Sequence, residues 1–174
     1  AQYPGLGSFK PVSGADGAFT AFNTSNDDIF YTTTQYTRIF RFDNGGFEIP
    51  DTITNKNVSN DNVLFINPLT IDPVDPDNLY QASNIGLWRL DSASIADSTG
   101  WEKACVFGGT ITAVSVSTVP EDIVFMGRFT GNTEVFMLVN ASTVDNSSTP
   151  LGLDPNGDIP DGGFGGSIYC SSIA

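Results

Sequence analysis

Carboxylates are the residues of this sequence with the most capacity for chemistry. There are 20 Asp plus Glu against 7 Lys plus Arg, with no His and 2 Cys, for a net charge of −13. The densest spacing is Asp154-Pro-Asn-Gly-Asp-Ile-Pro-Asp161. Asp154, Asn156 and Asp158 alternate as in calcium loops, and Gly157 permits the bend. The Glu that closes an EF-hand loop is missing, and Asp161 is the substitute on offer. Ca²⁺ is the one cofactor this pattern suggests; the competing reading is an acidic turn that holds no metal. A second chemistry open to carboxylates is glycoside hydrolysis. It needs two of them about 5–5.5 Å apart for retention or about 6.5–9.5 Å for inversion.

Other chemistries lack their residues. Without His there is no His-based triad, and two Cys without His do not make a zinc site. Gly162-Gly-Phe-Gly-Gly166 reads as a flexible joint before a strand, since no helix follows it to complete a dinucleotide fingerprint. Phe40, Tyr80 and Trp88 invite comparison with a sugar-stacking platform. Their recurrence in register favours packing instead. Asp27, Asp28, Asp72, Asp75 and Asp77 fall in turns that repeat, where Asp closes the turn. No catalytic residue is assigned on this basis.

The elements that would position these groups are strands. No long window carries apolar residues at helical spacing. Short β-branched and aromatic runs cover 29–34, 38–42, 63–66, 79–82, 110–116, 123–126 and 134–139, divided by Asp, Asn, Pro and Gly clusters. The exception is 91–96, expected as one helical turn in an insert. The predicted fold class is all-β and antiparallel.

The strands recur in a pattern. Asn23-Thr-Ser-Asn-Asp-Asp-Ile-Phe-Tyr31 returns as Asp72-Pro-Val-Asp-Pro-Asp-Asn-Leu-Tyr80 and as Ser117-Thr-Val-Pro-Glu-Asp-Ile-Val-Phe125. A second echo follows each: Ile39-Phe-Arg-Phe-Asp43, Leu87-Trp-Arg-Leu-Asp91 and Phe136-Met-Leu-Val-Asn140. A strand-and-turn period of about 40–50 residues signals a β-propeller. Three four-stranded blades are expected, over about 19–66, 67–109 and 110–164, with 165–174 as the first strand of a fourth. Propellers have about 4–8 blades, so the ring is expected to be completed by the rest of a longer polypeptide or by other subunits.

The acidity argues against nucleic acid, whose phosphates require Lys and Arg, and suits a surface that gathers cations. No run approaches the length of a membrane span. The opening residues lack the pattern of a signal peptide, and a start without Met suggests processing or excision. Cys105 and Cys170 are either a disulfide pair or two buried small hydrophobes. Asn23, Asn57, Asn140 and Asn146 head glycosylation triplets, which matter only in a eukaryotic secretory setting.

From about Phe19 onward the chain resembles the BNR or Asp-box propeller family, in particular its sortilin-like and xyloglucanase-like repeats. The residues that carry the likeness are 71–80, 86–91 and the terminal Tyr169-Cys-Ser-Ser-Ile-Ala174. The Asp-box itself is eroded: Asp43-Asn-Gly-Gly-Phe47 is short and lacks Thr, Asp91 is separated from Trp101, and Asn140 has no Gly or Trp after it. The box is structural in that family, so its erosion touches no catalysis. The resemblance implies a secreted or cell-surface module that binds a protein or glycan, or a scaffold within a larger exported protein of the kind that uses the type IX route. The alternative it implies is part of a xyloglucanase-like or sialidase-like hydrolase.

Overall fold

Each Asp/Asn-headed turn reverses the chain within a few residues, so that short strands fold back on their neighbours. Asn23 Oδ1 accepts the amides of Ser25 and Asn26, and Asp72 Oδ1 accepts those of Val74 and Asp75. These side-chain caps replace the ladder bonds that the turn gives up. The computed structural model describes residues 16–43, 49–58, 63–106, 108–130 and 133–152.

Twelve strands occupy the described residues and form three four-stranded antiparallel sheets, each in sequence order. The first sheet holds β1 (Thr20–Phe22), β2 (Phe30–Thr33), β3 (Ile39–Phe42) and β4 (Asp51–Thr52). The second holds β5 (Leu69–Ile71), β6 (Leu79–Ala82), β7 (Gly86–Leu90) and β8 (Trp101–Val106). The third holds β9 (Thr110–Val116), β10 (Ile123–Phe129), β11 (Thr133–Val139) and β12 (Leu151–Gly152). No hydrogen-bonded ladder joins one sheet to another among the described residues.

Packing between sheets joins them. Ala21, Tyr31, Ile39 and Ile53 of the first repeat meet Leu69, Leu79, Trp88, Leu90 and Trp101 of the second in one buried cluster. Tyr80, Ala82, Leu87, Ala104 and Cys105, on the second sheet's other face, meet Ile111, Val124, Met126 and Leu138 of the third. The second sheet is thus apolar on both faces, and all five residues of β7 are buried. Strand alternation sends odd and even positions to opposite clusters. Gly86 is required at its place: a Cβ there would lie 2.2 Å from the Cys105 carbonyl oxygen.

Two expectations change. Residues 63–66 are not a strand. Asn67 ties them into a bend, accepting from the Leu64 amide and donating to its carbonyl, while Phe65 accepts from the Tyr36 amide. Residues 91–96 do contain one helical turn, closed by Ala96 N donating to Ser92 O, but they are not an isolated insert. A matching turn, with Val144 N donating to Asn140 O, occupies the same place in the third repeat.

Candidate functional site

The register of the ladders places one row of four residues across each sheet. In the first it is Ala21, Tyr31, Arg41, Asp51; in the second, Thr70, Tyr80, Arg89, Glu102; in the third, Ser115, Phe125, Met137, Leu151. A small residue, an aromatic, an arginine and an acid recur twice, and then the polar half of the row turns apolar.

The two arginines do the same thing. Arg41 Nη1 donates to the carbonyls of Ala93 and Ala96 at 3.2 and 2.8 Å. Arg89 Nη1 donates to those of Ala141 and Val144 at 2.9 and 3.0 Å. In both cases the acceptors lie 52 and 55 residues further along the chain. Each guanidinium therefore leaves its own sheet and anchors on the loop that follows the third strand of the next repeat. Acids of its own repeat hold it there: Asp43 and Asp51 around Arg41, Asp91 and Glu102 around Arg89. The planar fork of Arg suits several fixed acceptors at once.

The acceptor loop is itself held from below. Asp77, sixth in its nonapeptide, accepts the Ser94 amide on Oδ1 at 2.7 Å and the Ala93 amide on its carbonyl at 2.8 Å. Asp122, sixth in the third nonapeptide, accepts the Ser142 amide at 2.6 Å and the Ser142 hydroxyl at 2.9 Å. Further along the same loops, Asp97 and Asp145 accept backbone and hydroxyl hydrogens from Thr99 and Ser147. Those bonds hold both carboxyls below the usual range. Asp77, Asp97, Asp122 and Asp145 are thus turn and loop acceptors.

The aromatic candidates separate. Tyr80 is fully buried between the second and third sheets, and Trp88 is buried on the opposite face, toward the first. They form no common platform. Burial, with Asp77 as a smaller influence, pushes the Tyr31 hydroxyl up to about 12, and burial raises Tyr80 in the same way. Phe40 is half-buried and lines a cleft of about 460 Å³ with Arg38, Thr52, Thr54, Lys56 and Ser98. A second cleft, of about 210 Å³, lies between the turns of the first two repeats, with Asn23, Asn26, Asp75 and Asp77 in its walls. Cys105 is buried, which pushes its thiol up to about 11; Cys170 lies outside the described residues. So do Asp154, Asn156, Asp158 and Asp161, the candidate calcium ligands. Among the described residues no three His, Cys, Asp or Glu side chains gather to hold an ion. No helix there is long and apolar enough to cross a membrane.

No protein-family model matches the chain, and a search of curated proteins finds no match. Function is therefore read from the geometry. The sequence does contain one signal for the arginine anchor beyond the repeats already noted. Ala93-Ser94-Ile95-Ala96-Asp97 and Ala141-Ser142-Thr143-Val144-Asp145 are a second-to-third repeat echo 48 residues apart, the same interval that separates Arg41 from Arg89.

Proposed function

We propose that this chain is a β-propeller module of the Asp-box kind, its three sheets being successive blades. In this reading it is non-catalytic, works at the cell surface or outside the cell as part of a larger exported protein, and binds a protein or glycan. The observation that carries the non-catalytic reading is the engagement of Asp72, Asp77, Asp97, Asp122 and Asp145 as acceptors for backbone amides. A carboxylic acid for glycoside cleavage needs a raised pKa, usually from an apolar wall. The bonds from Thr99 and Ser147 drive the carboxyls of Asp97 and Asp145 the other way.

The cleft at Phe40 is the place for a ligand. A half-exposed aromatic ring accepts the apolar face of a sugar, and Arg38, Lys56 and the flanking hydroxyls supply donors to its oxygens. Titration with a panel of soluble oligosaccharides tests the reading. Binding that is lost in Phe40→Ala, without release of reducing sugar, is the expected result. Release of reducing sugar from a β-glucan, abolished by a single Asp→Asn change, would overturn it. Calcium at Asp154, Asn156, Asp158 and Asp161 is a separate part of the proposal. Ligand binding to the native state alone raises the melting temperature. A melt unchanged between EDTA and millimolar Ca²⁺ would remove the metal.

A further inference from the structure

The arginine series stops at the third sheet, and what replaces it describes the surface that must cover that sheet. Arg41 and Arg89 each point toward the next repeat and need two loop carbonyls there. Met137 holds the equivalent place in the third sheet, and Leu151 stands where Asp51 and Glu102 supply the acid. The row Ser115, Phe125, Met137, Leu151 is the direct continuation of the two established interfaces, yet no sheet covers it among the described residues. Phe125 and Met137 are half-buried, whereas Tyr31 and Tyr80 at the matching position are fully buried. In a chain with 20 Asp plus Glu, this row has no charge. Its partner is an apolar face with no carbonyl loop to offer an arginine.

The other end of the stack presents such a face. Phe22, Phe30 and Phe42 lie in one cross-strand row on the first sheet, on the side turned away from the second. Phe30 and Phe42 stack at 4.7 Å; Phe22 is 61% exposed and Phe30 half-buried, while Phe42 is buried beneath them. The equivalent rows of the other two sheets, Ile71-Leu79-Leu90-Trp101 and Val116-Val124-Leu138, are the ones that receive the preceding sheet. In sequence, Asp43-Asn-Gly-Gly-Phe47 follows the third strand of the first repeat where the other two carry Ala-Ser.

We infer that the third sheet docks on the first sheet of a second copy of this chain, Phe125 and Met137 packing against Phe22 and Phe30, so that two copies join head to tail in both directions; Phe40 lies on the same face of that sheet, so the pair and a sugar at the Phe40 cleft compete for it. This rests on the blade reading above, and six four-stranded sheets fall within the about 4–8 that propellers hold. Methionine sulfur beside aromatic rings is a favourable contact in its own right. At the usual strand spacing and rise, one four-stranded face measures about 300 Å², so that the two joints together bury about 1,200 Å², enough for a specific pair. Two copies at −13 each repel, so added salt should tighten the pair by screening.

Sedimentation equilibrium on the 174-residue chain tests this, at 0.05 and 0.5 M NaCl. The expected result is a species of twice 18.5 kDa whose dissociation constant falls with salt. Met137→Arg and Phe22→Arg should each raise that constant about 30-fold or more, the scale of an interface hot spot. Val119→Arg, on a turn and 86% exposed, should leave it unchanged. Mixing the two weakened variants should recover a pair, because one joint, between the intact third sheet of one and the intact first sheet of the other, is restored. A chain that stays at 18.5 kDa at 0.5 M NaCl and hundreds of micromolar overturns the inference, as does a pair that neither variant weakens. If that monomer still melts cooperatively and still needs Arg89 for stability, the blade reading stands and only the second copy is lost.

Discussion

Arg89→Met isolates the anchor between the second and third repeats, because methionine keeps most of the aliphatic stem and stands naturally at position 137. The guanidinium makes two hydrogen bonds to the loop carbonyls, and its side chain is 6% exposed. Hydrogen bonds from a charged donor contribute about 1.5–3 kcal/mol each. The low end of that range gives about 3 kcal/mol for the pair. The ion pairs to Asp91 and Glu102 add little, since those side chains are 50% and 72% exposed, and exposed pairs contribute about 0–1 kcal/mol. Relief of the desolvated charge works against the loss. The net expectation is about 2–3 kcal/mol, or about 4–12 °C in melting temperature for a chain of this size. Urea denaturation is the assay, because guanidinium salts would screen the ion pairs. Glu102→Ala should cost under about 0.5 kcal/mol on the same grounds. An Arg89→Met cost below about 1 kcal/mol would refute the idea that the guanidinium ties one repeat to the next.

Asp122→Ala removes the acceptor for the Ser142 amide and hydroxyl and should cost about 1–2 kcal/mol in urea, as for loss of a helix cap; no change would mean that the loop at 140–144 holds itself. Alkaline pH should unfold the chain. The folded pKa of Tyr31 is raised to about 12 from 10.0, so its contribution is fully present below pH 10 and is lost as pH rises toward 12. Tyr31→Phe should flatten that arm of the stability curve, and an unaltered arm would show that other groups set it. Acid works with the opposite sign. Asp97 and Asp145 lie below 3.8 when folded, so their contribution is present above that pH and fades as pH falls beneath it. Asp97→Asn with Asp145→Asn should shrink the acid loss, and an identical acid midpoint would contradict the assignment. The Cys105 thiol, buried and pushed up to about 11, should resist alkylation in the native state and react at the rate of unfolding; rapid labelling without unfolding would show that the second and third sheets separate.

Much of the fold was legible in the sequence because turn chemistry is local. Asn23 and Asp72 announce their turns by residue type, and the apolar pairs after them become β2 and β6. Residues 63–66 misled because their composition suits a strand; what decides them is a side chain outside the run, Asn67, which bonds Leu64 on both sides. The fourth strands β4 and β12 are two residues long and carry no pattern of their own. They exist because a neighbour's edge offers ladder partners. The site was the least legible part. Arg41 and Arg89 stood in view inside a repeated motif, but their acceptors are backbone carbonyls 52 and 55 residues away, and carbonyls leave no trace in residue identity. Bonding through the backbone also hid the role of the Ala-Ser loops, which receive the guanidinium on their carbonyls. Ladder register corrected one more point: reading the third echo without gaps puts Leu138 opposite Arg89, whereas the pairing puts Met137 there.

Hydrogen exchange on Arg89→Met, followed by mass spectrometry, tests most directly whether each repeat is tied to the next by its arginine. The amides of Ala141, Ser142, Thr143 and Val144 are bonded within the third repeat, to Asp122 and Asn140, and none touches the Arg89 side chain. If the guanidinium holds that loop through its carbonyls, exchange should accelerate in 140–145 while the amides of residues 93–96, anchored by Arg41, keep their protection. Equal acceleration in the two loops, or a change confined to β7, would contradict the account.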